Sequence, residues 1–193
     1  FVVRGECLAF STVLVRSAGK PINGFGGTAS GPEILIDGIE KISVVIKQRE
    51  GKKLRSIDVL DIANIIGSVV VAGNVRRSAE IALGDPDDYL YIKAKRWDLG
   101  NIPNWRAMSN NTIYCDSYDH IAEGVWDGYA GNGEPYGFFN VMLSSKFGRT
   151  GEKAKENCEG TNPCGEISLA NKECCNLAEL YLNNITSKEE LIE

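Results

Sequence analysis

Apolar residues recur at helical spacing in two stretches of the chain. In residues 34–48 they stand at i, i+4, i+7 and i+11, which places them on one face of a helix that follows Pro32. These positions are Leu35, Ile39, Ile42 and Ile46. A second helix is predicted from Ser56, taken as its N-cap, toward residue 73. Its inward positions are Ile57, Leu60, Ala63, Ile66 and Val70.

Shorter apolar segments between the helices predict β-strands. Polar and apolar residues alternate in residues 78–83, and residues 111–115 form a second candidate strand. Residues 136–143 are nearly all apolar, so we expect that strand to be buried on both faces. A helix is predicted over residues 120–130, closed by Gly131-Asn132-Gly133. Helices that alternate with short buried strands predict an α/β fold.

The two ends of the sequence predict a piece of a longer polypeptide. The chain begins at Phe1 in an apolar run, and Ser187 with Glu190 forms a capping-box pattern that starts a helix just before Glu193. A helix of one or two turns does not offset its own nucleation cost. We therefore expect residues 1–193 to be one partial domain of a longer chain.

Composition narrows the class of protein. The 193 residues are 43% hydrophobic with a formal charge of −5, and their Lys and Arg residues are scattered, which argues against a nucleic-acid partner. The sequence has neither a run of about 18 apolar residues nor a signal-peptide pattern, so a cytoplasmic protein without a membrane partner is predicted. Six cysteines without an export signal are too sparse for a secreted disulfide scaffold.

One short segment brings together an amide, a thiol and a carboxylate. These are the side chains of Asn162, Cys164 and Glu166, separated by Pro163 and Gly165, which favour a tight turn or loop tip. If the tip is locally extended, the three side chains project the same way and face one small substrate. Cys164 is the main candidate for a catalytic thiol, and an ordinary loop cysteine is the alternative.

A glycine-rich stretch is the second candidate site. Residues 24–31 offer close backbone approach and hydroxyl donors, which suit a phosphate or a sugar edge. The candidate substrate-binding residues are Gly26, Gly27, Thr28 and Ser30, with Arg76 further along the chain. The stretch lacks the lysine of a P-loop, so an ordinary loop is the alternative. For Arg76 the alternative is an internal ion pair.

Three segments together resemble the catalytic subunit of ribonucleotide reductase. They are GTNPCGEISLANKECCNLAE at residues 160–179, NGFGGTASGP at 23–32 and VVAGNVRRSAEIALG at 70–84. The sequences of these segments are most similar to those of the adenosylcobalamin-dependent (class II) ribonucleoside triphosphate reductases, and the resemblance extends from residue 18 to residue 182. It implies that the chain is part of a ten-stranded α/β barrel, with Cys164 on a finger loop.

The resemblance also implies roles for the site residues. Cys164 would carry a transient thiyl radical that takes the 3′ hydrogen from the ribose of a nucleotide. Glu166 would act as general base on the 3′ hydroxyl, and Asn162 would hold the sugar hydroxyls. Cys175 matches the reducing cysteine that forms a disulfide as the 2′ hydroxyl leaves. Its partner is either outside the chain or Cys7. The remaining cysteines, Cys115, Cys158 and Cys174, are expected to be structural.

The implied partners are a ribonucleotide, adenosylcobalamin, a thioredoxin-like or other dithiol reductant, and the remaining segments of the same enzyme. The sequence leaves open whether the substrate is a diphosphate or a triphosphate. One alternative is a zinc module built from Cys158, Cys164, Cys174 and Cys175, although their spacing is poor for paired ligand arms. The other alternative is a catalytically inert fragment of a split reductase. In either case the 193 residues alone are expected to be inactive.

Overall fold

The centre of the fold is a parallel β-sheet of three strands in chain order. We describe it from a computed structural model, which covers residues 9–24, 26–72, 78–148, 157–176 and 178–192. The strands are β1 (Glu80–Gly84), β2 (Ser109–Cys115) and β3 (Gly137–Asn140). β2 is central, with Ile81 beside Asn110 and Ile113 beside Phe138. The predicted α/β fold with short strands is therefore confirmed in this part of the chain.

Helices precede, connect and follow these strands. They are α1 (Glu33–Lys47), α2 (Ser56–Val71), α3 (Tyr89–Ile92), α4 (Glu123–Asn132), α5 (Val141–Phe147) and α6 (Lys188–Ile192). Short 3-10 turns occupy Trp97–Leu99, Asn104–Met108, Tyr118–His120 and Leu182–Asn184. A separate antiparallel hairpin is formed by β4 (Gly160–Thr161) and β5 (Ser168–Leu169). None of the helices in the described ranges combines the length and apolar character needed to span a membrane.

The hydrophobic core lies between the helices and one face of the sheet. Its buried members are Ile57, Leu60, Tyr91, Ala94, Ile113, Cys115, Ile121 and Val125. The hydroxyl of Tyr91 lies 2.6 Å from the carbonyl oxygen of Ala82 and 3.0 Å from that of Thr112, so it ties α3 to two strands. Burial raises the pKa of Tyr91 and keeps the hydroxyl protonated as a donor.

The opposite face of the sheet meets the β4–β5 hairpin. Along β2, Ile113 lies in the helix-side core, whereas the amide of Asn110 reaches the hairpin at Pro163. On β1, the side chain of Leu83 comes within 3.3 Å of where a Cβ would stand on Gly160 of β4. Because side chains alternate along a strand, one face of the sheet holds the core and the other supports the hairpin.

The first helix agrees with its prediction and the second differs in detail. α1 matches the predicted span within one residue. Ser56 is the first helical residue of α2 rather than its cap. The start of α2 is stabilised instead by Asp58, whose carboxylate accepts hydrogen bonds from the backbone N–H (2.8 Å) and guanidinium (2.7 Å) of Arg55.

The predicted inward face of α2 is correct in its first half and wrong in its second. Ile57 and Leu60 are buried, whereas the inward positions predicted at Ala63, Ile66 and Val70 are exposed. The buried positions in this half are Asp61, Asn64, Ile65 and Gly67, and the buried carboxylate of Asp61 accepts hydrogen bonds from Trp105 and Arg106.

The third predicted strand is shorter than expected. It ends at Asn140, whose side-chain oxygen accepts a hydrogen bond from the backbone of Leu143 (2.9 Å) and so begins α5. Its residues are half-buried, and Met142 and Leu143 are exposed, so burial on both faces is wrong. The last predicted helix is confirmed, since Ser187 Oγ accepts a hydrogen bond from the backbone of Glu190 (3.1 Å) at the start of α6.

Candidate active site

Cys164 lies at the tip of the β4–β5 hairpin. The two strands pair Gly160 with Leu169 and Thr161 with Ser168, and the loop between them turns back on itself. The backbone N–H of Gly165 donates to the carbonyl of Asn162 (2.9 Å), which closes a four-residue turn around Pro163 and Cys164. Gly165 has a φ of +89°, a conformation that disfavours any residue with a Cβ. The predicted loop tip at Cys164 is therefore confirmed.

Asn162 organises the base of this turn. Its side chain is buried, with Oδ1 accepting from the backbone N–H of Ile167 (3.0 Å) and Nδ2 donating to Oε1 of Glu166 (2.7 Å). Its own backbone N–H donates to the carbonyl of Ile167 (3.1 Å). These bonds place the amide against the carboxylate of an exposed Glu166, so the structure brings together two of the three predicted site residues.

The common direction of the three side chains was predicted for a locally extended tip, and that condition is not met. The segment forms a turn because the Gly165-to-Asn162 hydrogen bond folds it, so the period-two alternation does not apply. Asn162 is 4% exposed, whereas Cys164 is exposed. Cys164 contributes to a cavity between the turn and the sheet instead.

This cavity has a volume of about 150 Å³. It is lined by Ile81, Thr112, Tyr136, Gly137, Phe138, Phe139, Thr161, Cys164 and Gly165. The walls therefore come from all three strands of the parallel sheet and from the hairpin. Ligand pockets for drug-sized molecules hold about 300–1,000 Å³, so the cavity holds only part of such a ligand.

One side chain from β2 and one from the residue before β3 hold the turn in place. Nδ2 of Asn110 on β2 donates to the carbonyl of Pro163 (2.7 Å), and Oη of Tyr136 donates to the carbonyl of Cys164 (3.4 Å). Neither residue was predicted from the sequence to be part of the site. For Asn110, the signal in the sequence was the polar run from Ser109 to Thr112, since polar residues in a buried strand require hydrogen-bond partners.

The other cysteines differ in burial. Cys158 is buried and lies 3.4 Å from both the Ser144 hydroxyl and the Gly160 carbonyl, and burial raises the pKa of the Cys115 thiol. Both fit the structural role that we expected. Cys174 and Cys175 are exposed in a segment without regular structure, so burial does not support a structural role for Cys174. Cys7 lies outside the described residues.

The zinc alternative finds no support among the described residues. No group of three or more His, Cys, Asp or Glu side chains there is arranged to hold a metal ion. The four cysteines considered for such a site are all described, with Cys158 buried and the other three exposed as free thiols.

The glycine-rich stretch lies at a different cavity. Its backbone forms a small antiparallel turn, in which Ile22 donates to the Gly27 carbonyl (3.0 Å) and Pro21 bridges Thr28. Gly26 and Gly27 are exposed at this turn. A cavity of about 410 Å³ is lined by Val15, Arg16, Ile22, Thr28, Ala29, Ser30, Gly31, Val69, Val70 and Ala72. It shares no lining residue with the Cys164 cavity, and Arg76 lies outside the described residues.

The fold and the site define an α/β protein that presents a cysteine on a hairpin against a parallel sheet. No family model matches the chain, and no solved structure matches it significantly. Among curated proteins, it is 47% identical over 171 residues to the adenosylcobalamin-dependent ribonucleoside-triphosphate reductase of Lactobacillus helveticus. Enzymes of the same name from Lactobacillus delbrueckii subsp. bulgaricus and Lactobacillus leichmannii are 47% and 46% identical over 175 residues.

Each of these alignments covers 86% of this chain and 23% of the relative. The chain thus spans about a quarter of the length of the curated relatives that it matches. The resemblance to adenosylcobalamin-dependent ribonucleotide reductases, first seen in three motifs, is confirmed over most of the chain.

Proposed function

We infer that the complete protein reduces ribonucleotides to 2′-deoxyribonucleotides by a thiyl-radical mechanism. The observation that carries this proposal is the exposed Cys164 on a fixed turn, whose base holds the paired Asn162 and Glu166. The 47% identity to a segment of ribonucleoside-triphosphate reductases supports it. A nucleoside triphosphate is the favoured substrate because these relatives are named for it.

Cys164 would take the 3′ hydrogen atom from the ribose. An exposed thiol at a loop tip can enter a cavity that the rest of the enzyme completes, where position and exclusion of water are the protein's contribution. When bound, adenosylcobalamin would supply the radical. The 150 Å³ cavity is too small to enclose that cofactor, so we place most of its contacts outside these residues.

Glu166 would accept the proton of the 3′ hydroxyl as general base. Its carboxylate is exposed and held by one hydrogen bond from Asn162, which leaves the second oxygen, Oε2, on the accessible side chain. Asn162 would orient this base, in addition to the contact with the sugar hydroxyls that the family resemblance implies. Its buried amide favours the orienting role.

Cys175 would supply one of the two reducing thiols. Loss of the 2′ hydroxyl as water and its replacement by hydrogen needs two electrons and two protons, which two thiols provide when they form a disulfide. A thioredoxin-like or other dithiol protein would then reduce the disulfide by thiolate attack. The exposure of Cys175 is compatible with such exchange.

Substrate phosphates would bind at the glycine-rich turn. Thr28 and Ser30 line the 410 Å³ cavity together with Arg16, which offers a guanidinium suited to phosphate. Gly26, Gly27 and Arg76 remain candidates from the sequence. We propose that the three parallel strands are part of a ten-stranded barrel, with the hairpin on its inner side, and that the enzyme works in the cytoplasm.

The proposal is tested with the complete reductase and its Cys164→Ser variant. We expect the wild type to form deoxyribonucleotide only when adenosylcobalamin and a dithiol are present, and the serine variant to form none. Cys174→Ser is the matched control, because it changes another exposed cysteine. Full turnover by Cys164→Ser, or equal loss in both variants, would remove Cys164 from the mechanism.

A further inference from the structure

The position of Cys164 depends on two layers of contacts. The base of its turn is held from within the hairpin, by the hydrogen bonds between Asn162 and Ile167. These bonds give the turn its shape but do not connect it to the sheet. The tip is connected to the sheet by Asn110 and Tyr136.

Asn110 binds the peptide group directly before Cys164. Its Nδ2 lies 2.7 Å from the carbonyl oxygen of Pro163, and that carbonyl shares a planar peptide unit with the backbone nitrogen of Cys164. The turn's own closing bond uses the carbonyl of Asn162 instead. The Pro163 carbonyl is thereby left to the amide that β2 presents.

Tyr136 binds the peptide group directly after Cys164. Its hydroxyl lies 3.4 Å from the Cys164 carbonyl oxygen, a longer and weaker hydrogen bond, and its side chain is 48% exposed. The orientations of the two flanking peptide planes define φ and ψ of Cys164. Both planes that direct the thiol are therefore held by side chains, one from β2 and one from the residue that precedes β3.

β2 is a rigid support for the first of these contacts. It is the central strand and pairs on both sides, and Thr112, two residues from Asn110 on the same face, is 4% exposed and lines the Cys164 cavity. Ile113 anchors the opposite face in the core with no exposed surface. A side chain on such a strand can define a position more closely than one on a loop.

We propose that Asn110 is a positioning residue for Cys164, which acts through the Pro163 carbonyl, and that Tyr136 is the second, weaker tether. The effect of Asn110 on turnover rests on the proposed radical function, whereas its effect on the position of the hairpin does not. Because a misplacement of about 1 Å can lower a rate by about 10²-fold, loss of the Asn110 contact should lower kcat and leave KM unchanged.

The test uses the complete protein with Asn110→Asp, which keeps the shape of the side chain but replaces its NH₂ donor with a second oxygen. Asn101→Asp is the matched control, since it makes the same chemical change on an exposed loop. We measure amide hydrogen exchange, which needs no substrate, and the steady-state kinetics of ribonucleotide reduction. Tyr136→Phe is a second variant at an exposed side chain, where folding is least affected.

We expect Asn110→Asp to speed exchange in residues 159–169 but not in β1 or α2, and to lower kcat by about 10- to 100-fold with KM within twofold. Asn101→Asp should match the wild type. Unchanged exchange in the hairpin, or a change in KM alone, would overturn the proposal. If Asn110→Asp fails to fold, Tyr136→Phe must speed exchange in the hairpin, and wild-type exchange there would also overturn it. An inactive wild type would refute the radical function, while the exchange measurement would still decide the role of Asn110.

Discussion

The amide of Asn162 donates a hydrogen bond to the carboxylate of Glu166 across the turn that carries Cys164, with Nδ2 and Oε1 2.7 Å apart. The same amide accepts a bond from the backbone of Ile167, so its orientation is fixed by the hairpin itself. The carboxylate therefore has a defined direction before any substrate arrives. In the proposed reaction, Asn162 and Glu166 act as one unit.

Residues that act as a unit should show non-additive kinetics. We expect Glu166→Gln to lower turnover by about 10²–10⁴-fold, because it removes the base, and Asn162→Ala to lower it as well. The double variant should be little worse than Glu166→Gln alone. A double-mutant cycle on kcat of the complete enzyme measures this coupling, and strictly multiplicative losses would separate the two roles.

Cys175 should be found in a disulfide after a single turnover without external reductant. The complete enzyme would be denatured, alkylated and mapped by mass spectrometry, with Cys164 expected as a free thiol. We expect the partner of Cys175 to lie outside residues 18–193, or to be Cys7. A Cys174–Cys175 bridge, or no disulfide at all, would remove Cys175 from the reducing pair.

The stabilising contribution of Asp58 should be lost in acid. The hydrogen-bonded guanidinium of Arg55 lowers the pKa of Asp58, so the folded state holds the charged carboxylate more strongly than the unfolded state does. The free energy of unfolding that comes from this difference is present above about pH 4 and is lost as the pH falls through the folded pKa.

Urea unfolding between pH 7 and pH 3 measures this contribution. Asp58→Asn should lower the free energy of unfolding by about 1–3 kcal/mol at pH 7 and flatten its decline in acid. Asp37→Asn is the control, because Asp37 pairs with Lys41 on the exposed side of α1. An unchanged acid slope in Asp58→Asn would show that other carboxylates control the transition.

Gly165→Ala should destabilise the hairpin through its backbone. A Cβ at this position would meet no atom within 4 Å, yet φ is +89°, so the cost is conformational and amounts to about 1–2 kcal/mol. Gly124→Ala in α4 also has free space and lacks the positive φ, so it should be neutral or stabilising by up to about 1 kcal/mol. Denaturant unfolding of both variants makes the comparison, and equal effects would contradict the assignment of strain to Gly165.

Local patterns in the sequence predicted most of the elements but only part of the site. Helical spacing predicted α1, and Pro163 with Gly165 predicted the turn at Cys164. Each of these signals is local, because the residues that carry it lie close together in the sequence. The inward face of α2 was wrong beyond Leu60, where Asp61, Asn64 and Ile65 are buried instead, and the partners of Asp61, Trp105 and Arg106, lie more than 40 positions away.

The contacts of the turn with the sheet could not be predicted for the same reason. Asn110 meets Pro163 across 53 positions of sequence, and Tyr136 meets Cys164 across 28. Neither pair has a periodic signature, because each depends on how the hairpin packs on the sheet. Single-sequence patterns report neighbours along the chain, and these residues become neighbours only in the folded protein.

The alternation along β2 links chemistry to stability at adjacent positions. Thr112 borders the cavity at Cys164, while Ile113, the next residue, lies in the hydrophobic core. A one-residue insertion or deletion near the start of this strand would exchange the two faces, turning Ile113 toward the cavity at Cys164 and Thr112 toward the core. The sequence of β2 can therefore tolerate substitutions one face at a time, but its length between Ser109 and Cys115 cannot change without affecting both faces together.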